Sequence, residues 1–128
     1  MSRTRTAACE KSLRWIASSL DDLLAFPEPV KHEIGAALSV AQFGGKHPIA
    51  KPWKGEGPGV FEIVEDHRGD TYRAIYTVRF AAAVYVLHAF QKKSPRGIKT
   101  RRGDVDLVNQ RLKLAQLDYE AWHGISEK

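Results

Sequence analysis

VFEIVEDHRGDTYRAIYTVRFAAAVYVLHAF, residues 60–90, decides the fold class. Three runs within it, VFEIVED (60–66), TYRAIYTV (71–78) and AVYVLHAF (83–90), are rich in β-branched and aromatic residues and follow the two-residue period of strands. The joints, His67-Arg68-Gly69-Asp70 and Phe80-Ala81-Ala82, are short enough for tight turns. Three strands joined this way form an antiparallel meander.

Outward from the meander the period changes. LRWIA (13–17) reads as an opening strand, and SSLDDLLAFP (18–27) as a short helix with a Ser cap, Asp21 and Asp22 in its first turn and a stop at Pro27. Val30, Ile34, Ala37, Leu38 and Ala41 fall at helical spacing until Gly44-Gly45, giving a second helix and with the first a helical hairpin. Residues 46–59 are rich in Pro and Gly and read as loop. From Asp104 onward, Val105, Val108, Leu112, Ala115, Tyr119 and Trp122 step by three and four, so an amphipathic helix closes the pattern. The order predicts an α+β fold: a mainly antiparallel sheet of N-terminal strand plus three-stranded meander, its helices covering one face and leaving the other free.

A length of 128 residues suits one domain, expected over 13–128 behind a flexible basic arm over 1–12. The charged content of 27% and the absence of a long apolar run exclude a membrane-spanning helix and point to the cytoplasm. A single cysteine, Cys9, excludes an internal disulfide and a cysteine-built zinc site. HExxH, Walker, GxGxxG and GxSxG motifs are absent, and the five histidines show no i, i+4 pair, so no metal site and no cofactor are expected.

Charge is the distinctive feature. The net charge is +5, and residues 88–102, HAFQKKSPRGIKTRR, carry six Lys or Arg and no acid. The excess is therefore local, which favours an anion site over general solubility. Adjacent strands lie about 4.8 Å apart, so Arg73 in the middle strand can share a surface with His88, Phe90, Lys92 and Lys93 at the end of the last. Lys51, Trp53 and Lys54 precede the meander; Arg96, Lys99, Arg101 and Arg102 follow it. Such a surface holds an RNA backbone and stabilises charge that builds on phosphorus when a ribose 2′-hydroxyl attacks. Arg suits that role by its planar fork of donors, Lys as a point charge, and Phe90 and Trp53 as stacking partners for bases. Each has a plainer role: Arg73 paired with Glu62, His88 as a structural histidine, Trp53 folded onto the core, the tail as a solvated linker.

SSLDDLLAFP, AQFGG, KPWKGEGPGVFEI, GDTYRAIYTV and VYVLHAFQKKSPRGIKT, in this order and followed by DVDLVNQRL, resemble the HigB-like, phage-related branch of the RelE/ParE toxin superfamily from about Trp15 to Ala115. The resemblance implies the toxin of a type II toxin–antitoxin module with a RelE-like fold. The implied activity is ribosome-dependent endoribonuclease (mRNA interferase) cleavage of mRNA in the A site, without a metal, by 2′-hydroxyl attack. The implied partners are the ribosome, its mRNA and a HigA-like helix-turn-helix antitoxin through which alone operator DNA is reached. By the same resemblance Arg73 contacts the scissile phosphate, and Lys92 and Lys93 stabilise the transition state or protonate the leaving oxygen. RelE has lysines along the first meander strand where this chain has Phe61-Glu62-Ile63-Val64, and a tyrosine with no counterpart in SPRGIKTRR. The general base stays open between Glu62, His88 and a lysine. Two other classes fit the same residues: a non-catalytic RNA- or ribosome-binding protein, and an antitoxin-binding regulator.

Overall fold

The computed structural model describes residues 10–54, 57–92 and 101–123, and at positions 92, 101 and 102 the backbone alone. Lys93, Arg96, Lys99 and most of the N-terminal arm lie outside the described residues. The described elements are β1 (Ser12–Trp15), α1 (Ser19–Leu24), α2 (Glu28–Gln42), β2 (Ala50–Pro52), β3 (Val60–His67), β4 (Asp70–Phe80), β5 (Ala83–Lys92) and α3 (Arg101–Trp122).

The meander β3–β4–β5 forms where the alternation predicts it. Arg68 (φ 50°) and Gly69 (φ 87°) bridge the His67–Asp70 pair, a two-residue turn with both central residues left-handed, which matches the twist of the strands it joins. The sheet continues on both sides in the order β1-β5-β4-β3-β2. β1 pairs with β5 in parallel and every other pair is antiparallel, so the α+β fold is built on a five-stranded mixed sheet. The stretch expected to be loop throughout holds β2, which pairs with β3 through Ala50 to Pro52. Its Pro is tolerated because β2 is an edge strand, where one side needs no ladder donor.

Pro27 and Pro29 start α2, where a missing N–H costs nothing. Gly44 (φ 93°) ends it in a Schellman arrangement: its N–H donates to Ala41 O at 3.0 Å, and the Gly45 N–H donates to Val40 O at 3.0 Å. The short α1 leans on β5.

The expectation of one free sheet face needs correction, because helices cover both. On one face α2 buries Val30, Ile34 and Leu38 against Ile63, Tyr76, Val84 and Val86. On the other, α3 buries Val108, Leu112 and Ala115 against Val60, Ile75, Tyr85 and Leu87. The stripe of α3 is itself apolar enough to need a core, and the sheet surface left for it is the face opposite α2. Truncating any of these Leu or Ile side chains to Ala costs about 2–5 kcal/mol.

Polar contacts fix α3 at its middle and at its C-terminal end. Arg111 Nη1 donates to Leu87 O at 2.9 Å and its Nη2 to Ser18 Oγ at 3.3 Å. Farther along, Arg14 Nε donates to Asp118 Oδ2 at 2.7 Å, the Tyr85 hydroxyl to the same oxygen at 2.5 Å, and Trp122 Nε1 to the Tyr85 oxygen at 2.9 Å. The hydrogen bond from Arg14 holds the Asp118 carboxyl below its usual range, while burial, reinforced by Asp118, pushes Tyr85 up to about 12. At the N-terminal side, Lys11 N–H donates to Gln42 O and Gln42 Nε2 to Lys11 O, each at 2.8 Å.

One irregularity decides which side chains of β5 reach the α3 face. Ile75 is the partner of His88 but Tyr76 is the partner of Val86, so Leu87 is an extra residue, a β-bulge. Strict alternation would put Val84, Val86, His88 and Phe90 on one face. The bulge instead leaves Val84 and Val86 under α2 and moves His88 and Phe90 to the face of α3.

Candidate nucleic-acid interface

Two rows of register partners cross the α3 face of the sheet. One runs Lys51, Glu62, Ile75, His88, and the next Val64, Arg73, Phe90. Past the first turns of α3 this face opens into a cavity of about 560 Å³ lined by Lys51, Trp53, Lys54, Glu62, Arg73 and Val105.

At its floor Arg73 Nη1 donates to Glu62 Oε2. The two residues are a diagonal cross-strand pair, since Glu62 opposes Ile75 and Arg73 opposes Val64. Their side chains are 18% and 9% exposed, so this is a largely buried ion pair rather than a surface one. The pairing that was one of two roles for Arg73 in the sequence is therefore present. It occupies one nitrogen, while Arg73 Nε is buried with no hydrogen-bond partner. Lys51 and Lys54 are exposed at the rim, and neither has an ion-pair partner among the described residues.

Trp53 is folded onto the core, the plainer of the two roles that the sequence left open to it. Its ring is buried and packs with Val60, Ile75 and Leu112, because the Trp53 N–H donates to Val60 O at 2.9 Å and turns the side chain inward. It forms a wall of the cavity, not a platform for a base, and its Nε1 is buried without a partner.

His88 stands apart from the cavity. Its Nε2 lies 3.1 Å from Asp104 Oδ1 in the first turns of α3, and its ring stacks on Phe90 with centroids 4.5 Å apart. Burial pushes its pKa down against the pull of Asp104. Thus His88 links sheet to helix, and Phe90, half-buried, is its cover. Lys92 ends β5 with Thr71 as its register partner, two positions beyond Phe90, so the strand end runs alongside Arg73. Arg101 and Arg102 open α3, a turn earlier than the apolar spacing implied.

The structure thus brings together Lys51, Trp53, Lys54, Glu62 and Arg73, and leaves His88 outside that group. Val105 and Asp104 were not singled out in the sequence as site residues. Their only signal was position at the start of an apolar helix whose docking face is invisible in one dimension.

Residues 21–113 match the family described as "Phage derived protein Gp49-like (DUF891)". The chain belongs to the Gp49-like family. This is a phage-derived toxin family of the RelE/HigB type. No curated protein matches the sequence. Among solved structures, a chain of the toxin–antitoxin complex RelBE2 from Mycobacterium tuberculosis is similar at 24% identity and a TM-score of 0.38, over 66% of this chain and 94% of that one. The segment matched by the Gp49-like family runs from α1 into α3 and includes the whole cavity wall.

No helix among the described residues is long and apolar enough to cross a membrane.

Proposed function

We propose that this Gp49-like protein is a HigB-type toxin that cuts translated mRNA on the ribosome in the cytoplasm, as a single toxin domain neutralised by a HigA-like antitoxin. The observation that carries the proposal is the juxtaposition of Arg73, Glu62, Lys51 and Lys54 around one cavity beside the basic end of β5. In the proposed step a carboxylate takes the proton of the ribose 2′-hydroxyl. The 2′-oxygen then bonds to phosphorus, and the 5′-oxygen leaves with a proton from a neighbouring cation, giving a 2′,3′-cyclic phosphate and a free 5′-hydroxyl. Arg73 and the lysines stabilise the charge on the phosphoryl oxygens in passing, with no metal assigned a role. Glu62 is favoured as the base over His88, because it lines the cavity with Arg73 whereas the Nε2 of His88 is engaged by Asp104.

The buried Arg73–Glu62 pair also favours a second function, a non-catalytic ribosome- or RNA-binding protein in which the pair is purely structural. Glu62→Gln separates the two, since it keeps the shape and an acceptor for Arg73 but removes the base. The nuclease predicts that wild-type protein added to a translation reaction cuts the reporter mRNA, mapped by primer extension, and that Glu62→Gln slows cutting by about a hundredfold or more. Intact mRNA on ribosomes that nonetheless retain wild-type protein on sedimentation overturns the nuclease and leaves the binder.

A further inference from the structure

We propose that Glu62 is a two-position carboxylate: it rests on Arg73 in the free protein, and an arriving phosphate moves it onto Lys51. The proposal rests on a phosphate reaching Arg73, which the nuclease and the non-catalytic binder share, and it gives Lys51 a task other than holding RNA.

The sheet places Glu62 between two cations. Lys51 of β2 is its direct register partner on one side, and Arg73 of β4 is a diagonal neighbour on the other. Direct partners in an antiparallel pair have Cβ atoms about 4.5–5.5 Å apart, closer than diagonal ones. Nearness alone therefore favours Lys51, yet the carboxylate goes to Arg73. Burial explains the choice. The Arg73 side chain is 18% exposed and without Glu62 would be a largely buried charge with no counter-ion, whereas Lys51 is exposed and solvated. Lys51 is left with no ion-pair partner among the described residues, although it lines the same cavity.

A phosphate reverses that balance. It neutralises Arg73 through the paired hydrogen bonds that a guanidinium fork makes with phosphate oxygens. Glu62 then faces a second anion across one guanidinium, and like charges so close in a poorly solvated site repel strongly. The carboxylate is now the group without a counter-ion, and the unengaged cation directly across the strand pair is Lys51. Lys51 meets it on a flexible four-carbon stem, so rotations of two side chains suffice and the strand ladder stays as it is.

This differs from a plain basic pocket in two ways. In the free protein Glu62 covers the guanidinium as a phosphate would, so the cavity discriminates against anions too weak to displace a carboxylate. In the nuclease, Glu62 leaves its ion pair with Arg73 only when the substrate's own phosphate is seated. Lys51 is then a positioning residue, acting on the phosphate through Glu62.

The test is a titration of the ¹⁵N-labelled full-length protein with inorganic phosphate at constant ionic strength, in which nothing is cut. The readout is the Nε–H signal of Arg73, a group shielded from solvent. Glu62→Gln is expected to bind phosphate about tenfold more tightly than wild type, because a neutral amide holds Arg73 less firmly than a carboxylate does. Lys51→Met, at an exposed position, is expected to weaken phosphate about fivefold, and Lys51→Arg to restore it. The double variant decides: with no carboxylate to receive, Lys51→Met in the Glu62→Gln background stays within about twofold of Glu62→Gln alone. An equal loss in both backgrounds overturns the proposal, since Lys51 then holds the phosphate itself. So does a Glu62→Gln affinity no better than that of wild type, and either result leaves the phosphate site standing. No response of Arg73 to phosphate in any of these proteins overturns both the exchange and the phosphate site on which it rests.

Discussion

Replacing Arg73 alone has a large stability cost that a loss of activity must not be confused with. Glu62 is buried, and Arg73 is its ion-pair partner. Arg73→Met leaves a buried carboxylate uncompensated, a change worth about 3–5 kcal/mol. A domain of this size holds about 5–15 kcal/mol in total, so the variant stays mostly folded at room temperature but with a small margin. With a urea slope of roughly 2 kcal/mol per molar, the midpoint drops by roughly 2 M. Glu62→Leu has a smaller effect, because the 18% exposed Arg73 side chain can turn its charge toward the cavity mouth. The double variant Arg73→Met/Glu62→Leu restores an apolar, volume-matched pair and falls within about 1 kcal/mol of wild type. Urea unfolding of the four proteins of this cycle, followed by the fluorescence of the three tryptophans, measures the coupling directly. If the cost in the double variant is the sum of the two single costs, the pair is not a buried unit and the reasoning fails. Activity tests at Arg73 therefore belong beside a stability measurement, which is why Glu62→Gln is the cleaner probe of chemistry.

Two predictions concern pH. Burial pushes Tyr76 and Tyr85 up to about 12 from 10.0, so the unfolded chain loses these protons first and stability falls as pH rises from 10 toward 12. Tyr76 and Tyr85 should titrate late by ultraviolet absorbance, and Tyr85→Phe with Tyr76→Phe should remove that late phase and flatten the alkaline slope; the absence of a late phase contradicts the burial argument. Burial lowers the pKa of His88 below 6.5, so the unfolded chain takes up this proton first and stability falls as pH drops through 6.5. His88→Gln should reduce that acid slope in thermal melts; an unchanged slope would mean that Asp104 cancels burial, and a steeper one that it outweighs burial.

Much of the fold was legible because its signals are local. Strand alternation in 60–90, the Pro27 stop, the Gly44-Gly45 cap and the three-four spacing after Val105 each depend on neighbours in the chain. What escaped depends on tertiary partners. β2 exists because Ala50 to Pro52 lie beside β3, while its own composition says loop. The early start of α3 ran against its residues, since Arg101 and Arg102 are unfavourable at the positive end of a helix. The face taken by α3 could not be read from its stripe, which specifies only that some apolar surface must meet it. At the site, the co-location of Arg73 with Glu62 and the loop lysines followed from strand pairing and was accessible to sequence. For Trp53 and His88 the sequence left two roles open each, and a backbone bond to Val60 and a single extra residue decide between them.

That extra residue, Leu87, has the character of an insertion that the sheet has absorbed. Deleting it would restore regular alternation at this point of the ladder, with Val86 still opposite Tyr76, His88 still opposite Ile75, and both keeping their present faces. The meander could therefore exist without it. What would be lost is the Leu87 side chain in the α3 core and the carbonyl that receives Arg111. A residue left outside the ladder has a carbonyl to spare, and the helix uses it as a mooring. The strand can thus lengthen by one residue without shifting Arg73 against its neighbours, and the addition serves to tether the helix whose Val105 lines the cavity.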